Sequence, residues 1–284
     1  MGIDFPLLHG RWRSRLHLKM NQRDLAKALK VAIEAARGAG TLMRKNLRAV
    51  KKANLVVQHD IKLELDVRCQ KLIEDILLKS FPAVSVVGEE GVAGDPNSPY
   101  RWVIDPIDGT VNFAYGIPHA CVSIALQEFK GPSRADAGYQ SVVGVVYDPF
   151  CDELWTAIRG QSARLNDKVI KVSTRSKLSE AVISLGFSKD DAGLNKMLPK
   201  LQDLAHRVRK IRIMGAAALD LVYVACGRYD GFMESGLRLW DIAAGGLILE
   251  CAGGEFWNEP LPGDHCYQIA ATNGLLRKKL TAVR

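Results

Sequence analysis

Apolar residues recur at helical spacing from position 25. Leu25, Ala28, Leu29, Ala32, Ile33 and Ala36 fall on one face and predict a long helix. Asn21 stands where such a helix needs a side-chain cap, with Asp24 in its first turn. A second stripe, Cys69, Leu72, Ile73, Ile76 and Leu77, predicts a helix over about Glu64 to Lys79. Short apolar runs follow. "AVSVVGEE", "YRWVID", "ACVSIALQE", "SVVGVVYDP" and "DELWTAIRG" read as strands, the last two as a hairpin around Asp148-Pro149. On this reading the strand "YRWVID" ends at Asp105.

After about residue 170 strands and helices alternate. "AVISLGF", "KIRIM", "GFME" and "QIAATN" read as strands. Residues 191–208, "AALDLVYVACG" closed by Gly227, and "WDIAAGGLILECAGG" closed by glycine read as helices, with a last helix after "QIAATN". The pattern predicts an α/β protein. An antiparallel α+β half over residues 20–170 packs tightly on a layered α/β half over 171–284, with no linker, repeat or low-complexity segment.

The composition, 48% apolar and 25% charged over 284 residues, is that of an ordinary soluble protein, and no apolar run has the length of a membrane span. The formal charge of +8 changes the picture only at the start of the chain. Residues 1–19 carry Arg11, Arg13, Arg15 and Lys19 against Asp4 and lack the apolar block of a secretory signal. They are expected to be a poorly ordered or non-native basic extension ahead of Met20, with a nucleic-acid arm as the alternative. None of the six cysteines forms a CxxC pair, which argues against a zinc site. Most of them sit in apolar stretches and read as small core residues, and a cytoplasmic location is expected.

The candidate chemistry is acidic. Glu89 and Glu90 follow one strand, Asp105 and Asp108 follow another, and Asp241 starts a helix. Each has a plain alternative: D-P-x-D-G is good turn chemistry, Glu89-Glu90 alone is a solvated pair, Asp241 a first-turn charge, and Asp66 an exposed helix residue. Gathered in one cleft, unpaired carboxylates would repel and raise one another's pKa. Hard divalent cations remove that conflict, Mg²⁺ first and Mn²⁺ second. If a helix or tight turn begins at Gly109-Thr110, its N–H groups face whatever the metals hold, a natural phosphate position. Together these features suggest phosphate-ester hydrolysis by a metal-activated water.

Three segments, "GEE" (88–90), "WVIDPIDGTVNF" (102–113) and "WDIAAGGLILECAGG" (240–254), resemble in order and spacing the signatures of the inositol monophosphatase family. That family belongs to the Mg²⁺-dependent, lithium-sensitive sugar phosphatases, and the resemblance runs from about residue 21 to the end. It implies a layered α/β/α/β/α sandwich and a homodimer, with no membrane partner. Glu89, Asp105 and the Ile107 carbonyl would bind a first metal and Asp105, Asp108 and Asp241 a second, with a third near Glu89. Asp66, in "DIKLELD", would pair with Thr110 to activate water, and the Gly109 and Thr110 N–H groups would hold phosphate. Substrate contacts would also come from Ala217, Glu234 and Asp241. There are departures: Lys62 and Glu64 replace small or β-branched residues of the family's early motif, and Ala216 replaces a Ser or Thr. Lys51 and Lys52 are the candidates for a basic residue that supports the third metal.

"DGTVNF", with Asn112, resembles the inositol branch, and the Glu234 carboxylate suits vicinal hydroxyls while repelling a second phosphate. The plain alternative for Glu234 is a surface residue at a strand end. The expected activity is therefore a Mg²⁺-dependent phosphomonoesterase for myo-inositol 1-phosphate or a similar sugar or polyol monophosphate. The alternatives are a superfamily relative acting on histidinol phosphate, fructose 1,6-bisphosphate or a 3′-phosphonucleotide, and a non-catalytic, nucleic-acid-associated regulator. The full ligand set argues against the last.

Overall fold

Asn21 caps the first helix, α1 (Gln22–Asn46). Its side chain accepts the N–H groups of Arg23 and Asp24, and the Asp24 carboxylate accepts the Asn21 N–H in return. The computed structural model describes residues 19–49, 53–57, 60–131, 135–187 and 191–281. The extension up to residue 18, Lys51 and Lys52 lie outside the described residues. A hairpin of β1 (Ala53–Val57) and β2 (Asp60–Leu63) leads into α2 (Glu64–Ser80), the helix expected from the second apolar stripe.

The first sheet is built from β3 (Ser85–Gly88), β4 (Gly91–Ala93) and β5 (Tyr100–Asp108). After a short helix, α3 (Thr110–Ala114), it continues with β6 (Cys121–Phe129), β7 (Tyr139–Asp148), β8 (Glu153–Ile158), β9 (Arg164–Leu165) and β10 (Lys168–Val169). Its order is β10-β9-β8-β7-β6-β5-β3-β4, antiparallel except for the β3–β5 pair. The chain then runs through β11 (Val182–Leu185), α4 (Asp191–Arg207), β12 (Lys210–Arg212), α5 (Ala217–Ala225) and β13 (Gly231–Arg238). It ends with α6 (Leu239–Cys251), β14 (Glu255–Pro260), β15 (Cys266–Thr272) and α7 (Arg277–Thr281). The second sheet has the order β12-β11-β13-β15-β14, with β11 parallel to β12 and β13 and the rest antiparallel.

Three apolar clusters set the layers. α1 and α2 cover one face of the first sheet, Ala28, Ala32, Ile73 and Leu77 meeting Trp102, Ile104 and Tyr147. α5 and α6 fill the space between the sheets, touching Val103 and Trp155 on one side and Phe232 and Ile269 on the other. α4 and α7 cover the far face through Met197, Leu204 and Leu280. The order is therefore α/β/α/β/α, as the family resemblance implied. Full burial of side chains such as Ile104, Ile124 and Phe232 stabilises the fold by roughly 1.5–3 kcal/mol each.

The middle layer explains the apolar run in "WDIAAGGLILECAGG". A helix between two sheets has no solvent face, so α6 is apolar almost all round. A Cβ at Gly245 would lie 2.7 Å from Leu221, and one at Gly246 2.7 Å from Phe256. Only a missing side chain lets α5 and β14 pack so close to α6.

A buried polar latch joins the two sheets. The Asp136 carboxylate, in the β6–β7 connection, pairs with Arg101 of β5 at 2.9 Å and accepts the Tyr267 hydroxyl of β15 at 2.8 Å. It also meets His265 Nδ1 at 2.6 Å. Burial alone would raise its pKa, but His265, Tyr267 and Arg101 outweigh that and hold it below the usual carboxylate range.

Candidate active site

β5 does not stop at Asp105. It runs on to Asp108 and is buried throughout, which corrects the expectation of a strand end, and the plain reading of D-P-x-D as a turn, at this point. Asp105 faces Ser123 on β6, yet Asp108 faces Cys121, so three steps on β5 match two on β6. That is a β-bulge, and it accommodates Pro106, which has no N–H for a ladder. In a regular strand, residues three apart point to opposite faces. The extra residue brings the two aspartates to the same side.

Asp241 comes from the first turn of α6, where its Oδ2 accepts the Arg238 N–H at 2.7 Å. Single carboxylate oxygens of Asp105, Asp108 and Asp241 lie within 4.8 Å of one another. Asp105 and Asp108 are buried and Asp241 half-buried. Asp105 is pushed well above the usual carboxylate range by burial, then by the charges of Glu89, Asp108, Asp241 and Asp66. Asp108 is pushed up to about 7 by burial and by Asp241, with hydrogen bonds from Ala218, Cys121 and Ala217 pulling the other way. Such a group of like charges out of water is unfavourable by itself. An all-oxygen set of this kind fits a hard divalent cation.

The other expected residues surround this trio. Asp66 is 2% exposed rather than a solvated helix residue, and its Oδ2 accepts the Leu63 N–H at 2.6 Å. Glu89 and Glu90 are half-buried in the turn between β3 and β4. The Glu89 N–H reaches the Ile104 carbonyl at 3.2 Å, and the Glu90 N–H reaches Gln70 Oε1 at 2.9 Å. Glu89 and Asp66 act on Asp105 through their charge; the 4.8 Å trio does not include them.

Gly109 takes a left-handed conformation, φ +87°, and α3 starts immediately after it at Thr110. The Thr110 hydroxyl donates to the Ile107 carbonyl at 2.8 Å, so these two groups are bonded to each other. Ala217 stands first in α5, with its N–H directed to Asp108 Oδ1 at 3.2 Å. Glu234 sits half-buried in the middle of β13, not at a strand end, and its carboxylate covers Gly186 so closely that a Cβ there would clash. Sequence reasoning missed the Cys121 thiol, 3.5 Å from Asp108 Oδ2, and the Ala218 N–H, 2.8 Å from the same oxygen. Neither position carries a signal that would have found it.

A five-layer α/β/α/β/α sandwich with a trio of aspartates from β5 and α6, two buried and one half-buried, fits a class of metal-dependent phosphoric monoester hydrolases. Comparisons with known proteins narrow that class. Residues 24–261 match the model of the inositol monophosphatase family. Inositol monophosphatase 1 of Solanum lycopersicum is 37% identical over 265 residues, covering 90% of this chain and 93% of that protein. The Nus factor SuhB of Pasteurella multocida is 40% identical over 230 residues, covering 80% of this chain and 83% of that protein. The crystal structure of extragenic suppressor protein suhB from Bartonella henselae superposes with a TM-score of 0.80 at 36% identity, covering 89% of this chain and 96% of that one. The chain belongs to the inositol monophosphatase family.

Proposed function

We propose that this chain is a Mg²⁺-dependent phosphomonoesterase that hydrolyses myo-inositol 1-phosphate or a similar sugar or polyol monophosphate. The observation that carries the reading is the convergence of Asp105 and Asp108, both buried, with half-buried Asp241, whose charge helps to raise the pKa of the other two. Glu89, Asp105, the Ile107 carbonyl, Asp108 and Asp241 are the groups that would hold two or three Mg²⁺ ions. When bound, the ions supply a water more acidic than bulk water and a counter-charge for the phosphate and the leaving oxygen.

The remaining roles belong to the chain. Asp66 and Thr110 orient the attacking water and take its proton. For this the Thr110 hydroxyl must turn from the Ile107 carbonyl that it contacts here. The N–H groups of Gly109 and Thr110 hold phosphate oxygens. Ala217, Glu234 and Asp241 meet the hydroxyls of the alcohol, where a carboxylate favours vicinal hydroxyls over a second phosphate. The homodimer is supported by the family resemblance. The cytoplasmic location is supported by six cysteines in the free thiol state. Among the described residues no helix is long and apolar enough to cross a membrane.

A second reading, a non-catalytic regulator, has one observation in its favour: relatives about as similar as the phosphatases carry the name Nus factor. Phosphate release from myo-inositol 1-phosphate, histidinol phosphate, fructose 1,6-bisphosphate and adenosine 3′,5′-bisphosphate, with and without Mg²⁺, separates the readings. Mg²⁺-dependent release led by the inositol ester, abolished in folded Asp108→Asn protein, is expected. Release led by another ester would overturn the substrate, and none from a folded protein would favour the regulator.

A further inference from the structure

Residues 108–112 and 214–218 run past each other in opposite directions and touch in register. Asp108 accepts the N–H groups of Ala217, at 3.2 Å, and Ala218, at 2.8 Å. Gly109 lies so close to Ala216 that a Cβ on it would be 3.1 Å from the alanine methyl. At the far end, Asn112 Nδ2 donates to the carbonyls of Met214, at 2.8 Å, and Gly215, at 3.4 Å. It also donates to the His119 carbonyl at 3.0 Å, closing the loop that follows α3. Thr110 lies between the rungs.

A primary amide offers two N–H donors. Here three carbonyls converge on them, so they are engaged within the chain rather than turned to a ligand. Two of those carbonyls belong to the residues just before α5. Gly215, φ +71°, turns the chain there, and the next amides are those that grip Asp108. Only Ala216 separates the two held carbonyls from the Ala217 amide, so anchoring Met214 and Gly215 restrains the start of α5 close to Asp108. The side chain of Asn112 therefore sets where α5 begins relative to Asp108.

We infer that Asn112 is a positioning residue: its amide closes a clasp between residues 108–112 and 214–218 that aligns Asp108 and Thr110 for metal binding and turnover. The inference rests on the metal-phosphatase reading above, so its test needs a readout besides activity. Mn²⁺ binding followed by electron paramagnetic resonance supplies one, alongside kcat, KM and the melting temperature.

Asn112→Asp keeps the shape and replaces the donor with oxygen facing three carbonyls. Asn112→Ala removes both shape and donor. If the donor matters, Asn112→Asp is impaired at least as much as Asn112→Ala, with Mn²⁺ binding weakened about fivefold or more, kcat lowered at least as much, and KM little changed. Wild-type Mn²⁺ affinity and kcat in Asn112→Asp would overturn the inference. Impairment in Asn112→Ala alone would also overturn it, because that pattern means simple filling of space. If Asn112→Asp does not fold, Asn112→Leu, which keeps the branched shape and has no donor, is read the same way. Failure of the underlying reading looks different: wild-type protein that binds Mn²⁺ no better than an Asp241→Asn variant has no metal centre for Asn112 to position.

Discussion

Substituting Gly109 by alanine tests the docking of the β5–α3 corner with a magnitude set by the structure. Gly109 has φ +87°, and so does a non-glycine residue only at a cost of about 1–2 kcal/mol. An added Cβ would also lie 2.9 Å from the His119 carbonyl oxygen, 3.1 Å from the Ala216 methyl and 3.3 Å from the Ala120 Cα. Two of these contacts are backbone atoms that no side-chain rotation can move. Forcing a methyl into so tight a place costs about 1–3 kcal/mol more. Gly160 and Gly253 provide internal controls. They have φ +83° and +88° but no neighbour within 4 Å of an added Cβ. Gly160→Ala and Gly253→Ala should therefore cost only the conformational part, about 1–2 kcal/mol, and Gly109→Ala about 2–5 kcal/mol. Urea unfolding of the three variants, compared at constant m, measures the difference. Gly109→Ala should also lose phosphatase turnover while Gly160→Ala keeps it. If Gly109→Ala were destabilised no more than the two controls, residues 108–112 would not be seated on 119–120 and 216 as described.

Other expectations follow from the charges. The raised pKa of Asp105 means that stability is lost as the pH climbs above its ordinary value of 3.8. Asp105→Asn is spared that loss, so with EDTA at pH 7 it should unfold at a higher urea concentration than wild type, converge with it toward pH 4, and lose the advantage in Mg²⁺; a less stable variant in EDTA would refute this. The depressed pKa of Asp136 works in the opposite sense, stabilising above the ordinary carboxylate range and fading as the pH falls through it. Asp136→Asn breaks a pair whose side chains are only 6% and 12% exposed and should cost about 3–5 kcal/mol at pH 7, and much less at a pH well below the ordinary carboxylate value of 3.8. An equal cost at both pH values in urea titrations would remove the latch.

Much of the fold is written in local pattern. α1 and α2 appear where apolar residues recur at helical spacing, and the Asn21–Asp24 cap is visible in three letters. Strands β5 to β8 of the first sheet are apolar because helices cover both their faces. β14 was missed because "EFWNEP" is an exposed edge strand with no apolar alternation. β9 and β10, two residues each, are too short to leave a period. The bulge after Asp105 was missed because Asp-Pro and Asp-Gly have the same turn preference whether or not a neighbouring strand continues the ladder. Asp66 reads as exposed because its burial depends on how the chain packs around α2 and leaves no mark in the local sequence. The acidic residues themselves were legible, as was Gly109-Thr110 as a possible helix start. The register of 108–112 on 214–218 was not, since no local rule links segments a hundred residues apart.

The bulged end of β5 has a consequence for the order of events during synthesis. Asp66, Glu89, Asp105 and Asp108 all precede residue 110, but Asp241 and the amides that grip Asp108 come from the last third of the chain. Domains form vectorially as the chain emerges, N-terminal parts first. A nascent first sheet would thus present its buried aspartates without α5 and α6 to cover them. Uncovered and without Asp241, these carboxylates stay solvated, and the β5 terminus lacks the two amides that hold Asp108 until the final helices arrive. On the proposed metal-phosphatase reading, metal capture is a late event that reports completion of the whole polypeptide, so a truncated product carries most of the acidic residues yet no assembled centre.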